Sequence, residues 1–499
     1  MDYPNYQNKI AGCWTGKCLG GAMGMPYEGV PYQPALNEAD LIVQDVPNDD
    51  LELQLVWLVA LKKYGTALDH AALGNIWLKH IPHGCDEYSV ALRNMKRGIM
   101  PPASGWKDNF FVDGMGAAIR SEIWAAVFAG NPGAAAHFAA LDASVDHWGD
   151  GVWAEVYLTV AECLAFENDN IPAVLKQALD VLPQECRLRL ALSGVFELHE
   201  RNISAEAAGE IIRIRYYHHN FTDCVMNLAT ILFALLWGKS DFVRSVLLAI
   251  NQGRDTDCTA ATVGAFLGIV GGLDAIPGHW REKVADRLVL SPFILDIPGI
   301  PLTLTDTVAE TLQLHETLSA DHKFYPPYVP YVATGKEPSL DRSRWLVLDA
   351  AKHDIAKIEV ELIETGRCPA ELTQCLVDFD DLNLDLSRFA DNANQLCLMS
   401  VLEIDTTTRP EDIYLSATAD VGLRLFMDGK QLMNHHSRLK MLPSFHRAEG
   451  GAAFALPLVN GSRHVFQAQL FSCLPPLRCC LMFGTRFNDH LDGFRFTLN

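Results

Sequence analysis

Two short acidic runs stand at the heads of helical segments, Asn48-Asp49-Asp50-Leu51-Glu52 and Asp255-Thr256-Asp257. An Asn or Asp ahead of a helix accepts hydrogen bonds from its first amides, and acids in the first turn suit the helix dipole. Capping alone therefore accounts for either run by itself. Brought into one cleft, the four aspartates would repel one another unless cations neutralised them. Hard oxygen donors select Mg²⁺, Mn²⁺ or Ca²⁺ over zinc. Two such ions spanned by Asp49, Asp50, Asp255 and Asp257 could hold vicinal hydroxyls of a sugar and a water nucleophile.

Bringing the runs together requires elements that pack closely. Gly12, Gly16, Gly20 and Gly24 recur on one face of a helix. Each glycine inside a helix costs about 1 kcal/mol against alanine, so a stripe of them needs a reason, and close approach of another backbone supplies one. A second small-residue stripe, Ala260, Gly264 and Gly268, follows Asp257. Glu28 comes just after the first stripe and Pro26, where a glutamate is ordinarily solvated surface. Elsewhere, His147 and Asp150 lie in Asp146-His147-Trp148-Gly149-Asp150-Gly151, and His218, His219 and Asn227 precede the second acidic run. Each histidine reads either as an internal hydrogen bonder or as a substrate-side group.

The surrounding pattern is helical from Ile10 to about Leu318. Apolar residues recur at three- and four-residue spacing in Leu53–Lys63, Met115–Phe128, Val152–Phe166, Leu188–His199, Leu228–Trp237 and Phe242–Ile250. Asn131-Pro132 and Ser240-Asp241 mark helix starts. The absence of β-rich runs between these helices excludes a parallel α/β sheet. FYPPYVPYV, residues 324–332, forbids helix through Pro326, Pro327 and Pro330 and reads as an extended linker. Beyond it the period becomes two. Arg344–Leu348, Leu396–Ile404, Val421–Leu432 and Val465–Phe471 read as strands, with Asp428-Gly429 as a hairpin turn. The expected organisation is an all-α domain over 1–322, a proline-rich linker over 323–340 and an all-β sandwich module over 341–499.

A net charge of −21, from 40 basic and 61 acidic residues, excludes nucleic acid and anionic membranes as general partners. The N-terminal MDYPNYQNKIAGCWTG shows no secretory signal pattern, and apolar runs such as Met226–Trp237 fall short of the roughly 20 residues of a membrane span. Thirteen cysteines without regular spacing point to a reducing compartment, so a cytoplasmic location is expected. The oligomeric state is not legible.

With these residues in view, the chain resembles the ADP-ribosylglycohydrolase family between about Ile10 and Gly272. The resemblance rests on GKCLGGAMGMPYEG, NDDLELQL, GMGAAIR, ASVDHWGDG and, most specifically, GRDTDCTAATVGAFLGIVGG. It implies an all-α orthogonal helical bundle with one or two Mg²⁺ ions, or Mn²⁺, held by Asn48, Asp49, Asp50, Asp255 and Asp257. It also implies that Glu28 is a mobile glutamate near the scissile bond, with Glu28 or Asp50 accepting the proton of the attacking water. The implied reaction is hydrolysis of an N- or O-ribosyl bond in an ADP-ribosylated protein or small molecule. Beside it, His147, Asp150, His219 and Asn227 are read as candidate substrate-side residues, although the loop 146–151 replaces the polar loop of many relatives.

The chain departs from the family pattern at Asn48, usually Ser or Thr, and at Cys258, usually a threonine ligand. Cys258 is expected beside the site without ligating Mg²⁺, which prefers oxygen. Three alternatives stand beside the main reading: a hydrolase of small glycosides without ADP-ribose, metal-dependent binding without turnover, and a two-metal phosphoesterase. The last lacks a basic clamp near the motifs other than Arg254. The C-terminal module reads equally as structural, oligomerising or sugar-binding.

Overall fold

The computed structural model describes residues 3–499 apart from 33–35, 45–46, 48, 293, 296, 320–324, 333, 335–341, 381, 392, 436–452 and 487–488, and apart from the side chain of Asp49. Asn48 therefore lies outside the described residues. The chain divides into two compact units. The first comprises Met1–His83, Asn94–Lys107 and Phe111–Ala333, and the second Gly84–Arg93, Asp108–Phe110 and Thr334–Asn499.

The first unit is helical. The helices that matter for the site are α1 (Tyr3–Gly24), α2 (Asp49–Tyr64), α3 (Ser121–Val127), α4 (Asp150–Ala165), α5 (Arg187–Glu200), α6 (Cys224–Gly238) and α7 (Thr256–Gly271). Among the described residues before Ser343, the only strand-like pairing is an isolated antiparallel bridge between Arg287 and Thr303. The glycine stripes explain the central packing. A Cβ on Gly12 would lie 2.5 Å from the Gly268 carbonyl oxygen, and one on Gly16 would lie 2.6 Å from the Gly264 carbonyl carbon. Cβ atoms on Gly20 and Gly24 would likewise collide with the carbonyls of Ala260 and Thr256. Helices α1 and α7 thus meet backbone to backbone along their whole shared length, an approach that side chains would prevent.

The expected helix starts hold where local chemistry decides them. Asn131 accepts from the Ala134 amide and Asp241 from the Arg244 amide. The expected helix Met115–Phe128 is shorter: a single tight turn, Ala118–Arg120, leads into α3. Before it the Gly116 carbonyl turns to accept from Arg120 Nη1 at 2.8 Å, so a core ion network outweighs helical periodicity there. The segment Thr256–Ala275 has the length and hydropathy of a membrane span, contrary to the expectation that no run does. It contains α7, which is locked against α1, and 72% of that window is buried inside the fold.

The described part of the proline-rich segment, 325–332, has no regular structure and belongs to the first unit. Tyr325 packs on His137 with ring centroids 5.0 Å apart, Tyr328 on Trp153 at 5.0 Å, and the Tyr331 carbonyl accepts from Trp148 Nε1 at 2.9 Å. These residues form an extended strap held to the helices rather than a free linker.

The second unit is built on two antiparallel sheets. Strands β1 (Ser343–Asp349), β2 (Leu376–Phe379), β4 (Gln395–Ile404), β6 (Gly422–Met427), β7 (Lys430–His435), β9 (Arg463–Phe471) and β11 (Phe494–Thr497) form one. The other has β3 (Asn383–Asp385), β5 (Tyr414–Ala419), β8 (Ala453–Ala455) and β10 (Arg478–Gly484), in the order β3-β10-β5-β8. Residues from both, including Trp345, Leu398, Leu415, Phe466 and Leu481, share one core, which makes the unit a sandwich. Asp428 (φ 50°) and Gly429 (φ 77°) form the expected hairpin turn between β6 and β7. One element was not anticipated: α8 (Ile355–Thr365) covers the outer face of the large sheet, with Ile358 and Leu362 packed against Leu346, Leu348 and Met399.

Candidate active site

The α1–α7 crossing places Glu28 against the second acidic run. Where the helices meet, Thr256 Oγ1 donates to the Gly24 carbonyl at 2.8 Å. The chain leaving α1 is tied to the chain entering α7, because Gly29 N donates to Arg254 O at 2.8 Å and Arg254 N donates to Val30 O at 2.6 Å. The turn into α7 takes positive φ at Gly253 (73°) and Arg254 (69°), and a Cβ on Gly253 would strike the Val30 carbonyl. Glu28 is thereby fixed beside the first turn of α7.

Capping does not explain Asp255. It occupies the N-cap position of α7 but makes no side-chain capping bond, whereas Asp69, Asp223 and Asp241 all cap their helices. Its carboxylate turns instead toward other acids. Ligand atoms of Glu28, Asp255 and Asp257 lie within 4.8 Å of one another, as do those of Asp50, Asp257 and Cys258. Asp50, Asp255 and Asp257 are 1%, 1% and 6% exposed. Burial, and next the negative charge of Asp257, hold the Asp255 carboxyl well above the usual carboxylate range.

Behind the acids stands a support that the sequence reading did not single out. Lys17, wholly buried on α1, donates to Glu122 Oε1 at 2.8 Å and to Ile119 O at 3.0 Å, and its Nζ lies 3.9 Å from Asp50 Oδ1. Burial pulls its pKa down, but Glu122 and Asp50 more than reverse that. Gln54 Nε2 donates to Asp50 O at 2.9 Å and Glu122 Oε2 at 2.7 Å, while Gln54 Oε1 accepts from Ile123 N at 2.9 Å. Together Lys17, Gln54 and Glu122 pin the first turn of α2 to α1 and α3. Their only sequence signal is polar character in otherwise apolar helices.

The proposed substrate-side residues divide differently. His147 is fully buried, with Nδ1 on Asp146 Oδ1 at 2.8 Å and Nε2 accepting from Ala117 N at 3.3 Å. Beside it Arg120 binds Asp146 through Nη1 and Nη2 at 2.9 and 3.0 Å, and Asp142 through Nε and Nη2 at 3.1 and 3.0 Å. This network joins GMGAAIR to ASVDHWGDG internally. Asn227 is also internal, its Nδ2 donating to the carbonyls of Phe221 and Asp223 at 2.8 and 3.0 Å. Asp150 accepts from Leu188 N at 3.1 Å and Arg187 Nε at 3.3 Å. Arg187 also reaches Asp113 at 2.8 Å and Asp223 at 2.7 Å, drawing three segments together. Half-buried His219 packs tilted against His218 with ring centroids 4.2 Å apart, and the carbonyls of both accept from Arg254 Nη2. His219 is thus linked to the acidic turn through Arg254, whereas no described contact brings His147, Asp150 or Asn227 to the acids.

The acids fit a hard divalent ion. Asp255 Oδ2 is buried without a hydrogen-bond partner, among clustered carboxylates that repel one another. Cys258, 8% exposed, faces this cluster and hydrogen-bonds to the Asp255 carboxyl, so it does not pack simply as an apolar residue. Asp49 and Asn48 fall where side chains are not described. In the second unit, Asp428, His464 and Ser462 form a hydrogen-bonded chain of 2.7 and 3.0 Å. Ser462 Oγ also donates to Val459 O at 2.6 Å, and the Gly461 and Ser462 amides are bonded to Ile404 O and Val459 O. These amides are not available as oxyanion donors, and the chain reads as a structural turn.

Comparison with known proteins identifies relatives of the helical region. The family model described as ADP-ribosylglycohydrolase matches residues 2–315. The ADP-ribosylarginine hydrolase Tri1 of Pseudomonas putida is 40% identical over 50 residues, covering 10% of this chain and only 14% of that protein. An uncharacterized protein of Archaeoglobus fulgidus is 25% identical over 305 residues, 56% of this chain and 93% of that one. A solved structure titled ADP-ribosylglycohydrolase-related protein complex covers 64% of this chain and 100% of its own, at 19% identity and a TM-score of 0.47. With a match across the whole helical unit, the chain belongs to the ADP-ribosylglycohydrolase family, hydrolases that act on glycosidic bonds.

Proposed function

We propose that this chain hydrolyses the N- or O-ribosyl bond of an ADP-ribosylated substrate with the help of Mg²⁺. The observation that carries the reading is the convergence of Glu28, Asp50, Asp255 and Asp257 on one buried cluster where Asp255 forgoes helix capping. The family match and the ADP-ribosylarginine hydrolase relative supply the substrate class.

Asp50, Asp255 and Asp257 would hold the ion or ions, with Asn48 and Asp49 completing the set by the family pattern. Bound there, Mg²⁺ would supply Lewis acidity toward ribose hydroxyls and water. Glu28 is the only one of the four carboxylates not fully buried, and it sits at the cluster edge on the chain leaving α1. That place suits it to orient the attacking water and accept its proton, while the ribosyl carbon takes on oxocarbenium character as the bond breaks. Asp50, held near Lys17, is suited to serve as a ligand. His219 and Arg254, which flank the acidic turn, would meet the substrate. A cytoplasmic location is supported by thirteen free cysteines.

The test is product analysis with ADP-ribosylarginine peptide, ADP-ribosylated small molecules and simple glycosides. Free ADP-ribose supports the proposal. AMP or phosphate as the product would mean phosphoester cleavage, and turnover of simple glycosides alone would move the substrate away from ADP-ribose.

A further inference from the structure

Lys17 forms an ion pair with a member of the acidic cluster, Asp50, and its setting is unusual for a lysine. It is 0% exposed, inside a helix whose Gly16 and Gly20 pack directly against another backbone. Taking an ammonium out of water is costly, and the cost is offset only by opposite charge and full hydrogen bonding. Opposite charge is present, and two donors are bonded, to Ile119 O and Glu122 Oε1, while Nζ faces Asp50 Oδ1 as an ion pair at 3.9 Å. Asp50 shares a cluster with Asp257 and Cys258, and Asp257 shares one with Glu28 and Asp255. Four carboxylates therefore crowd a space into which one buried cation is already built.

We infer that Lys17 is an internal counter-ion of the acidic cluster, a positioning residue that shares Asp50 with the bound divalent cation and lowers the affinity for it. This rests on reading the cluster as a cation site. Two consequences follow from charge alone. Without the metal, Lys17 relieves part of the carboxylate repulsion, so the cleft is formed before an ion arrives. With the metal, a fixed unit charge a few Å away opposes a dication, most strongly in a buried site that salt does not screen. Lys17 then keeps the ion exchangeable instead of permanently trapped. A lysine serving only to fasten α2 to α3 would act in the opposite sense. Its loss would loosen Asp50 and weaken the metal.

The sign of the change in metal affinity is therefore the test. Mn²⁺ binding to chelator-treated full-length protein is measured by electron paramagnetic resonance of the free ion, for wild type and Lys17→Met. The expected result is binding tightened by about tenfold or more, with a larger Mn²⁺-induced rise in Tm because the metal-free variant is less stable. Lys17→Met/Glu122→Gln removes both members of the buried pair, so that no lone charge is left if the single variant fails to fold. It should tighten binding in the same direction. Unchanged or weaker Mn²⁺ binding in folded variants, with wild type binding normally, overturns the inference and leaves the cation site intact. Absence of Mn²⁺ binding in wild type and variants alike overturns both.

Discussion

Replacing Gly20 with alanine should destabilise the protein even though alanine is the better helix former. Propensity alone favours the change by about 1 kcal/mol. Against it, the new Cβ would fall within the carbonyl of Ala260 and 2.8 Å from Ala261 Cα. Those are backbone atoms of α7 and cannot swing aside as a side-chain tip does. The helices must part, and overpacking of this kind costs about 1–3 kcal/mol or more. The net expectation is a loss of up to about 2 kcal/mol after the propensity gain, where alanine at an open site would gain. Gly133, in the helix Pro132–Ala143, is the control: its nearest neighbour to an added Cβ is Asn131 Oδ1 at 3.7 Å. Gly133→Ala should therefore stabilise by up to about 1 kcal/mol. Urea unfolding of both variants against wild type measures the difference. If Gly20→Ala is as stable as Gly133→Ala, the stripe does not set the α1–α7 distance, and the explanation of how Glu28 meets the second acidic run loses its basis.

Further expectations follow from the same geometry. Asp257→Ala should nearly abolish Mg²⁺-dependent turnover, while Cys258→Ala, which removes only a soft thiol, should keep kcat/KM within about tenfold, or roughly 1.4 kcal/mol of barrier. Equal losses in two folded variants would make the thiol a ligand or catalyst. Burial lowers His70 to about 4, against Asp69 and with His137, while its Nε2 meets Ser144 Oγ at 2.8 Å. Its folded pKa lies below its unfolded value of about 6.5, so its contribution of roughly 3 kcal/mol is complete above that pH and drains away toward pH 4. His70→Gln should flatten the fall in unfolding free energy between pH 7 and 4.5, and an unchanged slope would refute this. Gly429→Ala puts a side chain at φ 77° in the β6–β7 turn and should cost about 1–2 kcal/mol by urea unfolding, with an undiminished midpoint counting against the turn.

What could be read from the sequence was whatever repeats or clusters locally. The stripe Gly12–Gly24 announces close packing because no other reason repeats every four residues, and Asp428-Gly429 announces a hairpin because few residues adopt its backbone. The acidic runs were ambiguous singly, since capping uses the same residues, and only the turn of Asp255 away from its own helix separates the readings. Lys17, Gln54 and Glu122 were missed because each is a single polar residue in an apolar stretch, and Lys17 meets Glu122 across 105 positions of chain. Periodicity does not report such pairs. His147 and Asn227 show the converse: a functional-looking residue type whose side chain points inward, a direction that sequence does not encode. The helix α8 carries apolar residues at Ile355, Ile358 and Leu362, a three- and four-residue spacing obscured by the strands on either side.

Everything proposed about the chemistry turns on Glu28, Asp50, Asp255 and Asp257 forming a divalent-cation site for cleaving a ribosyl bond. The most direct measurement is the rate of ADP-ribose release from ADP-ribosylarginine peptide by chelator-treated protein as Mg²⁺ is added back, for wild type and Asp255→Asn. Without the ion no release is expected, with saturable recovery in wild type and little or none in the variant. Release that is indifferent to chelation, or full recovery in Asp255→Asn, would contradict it.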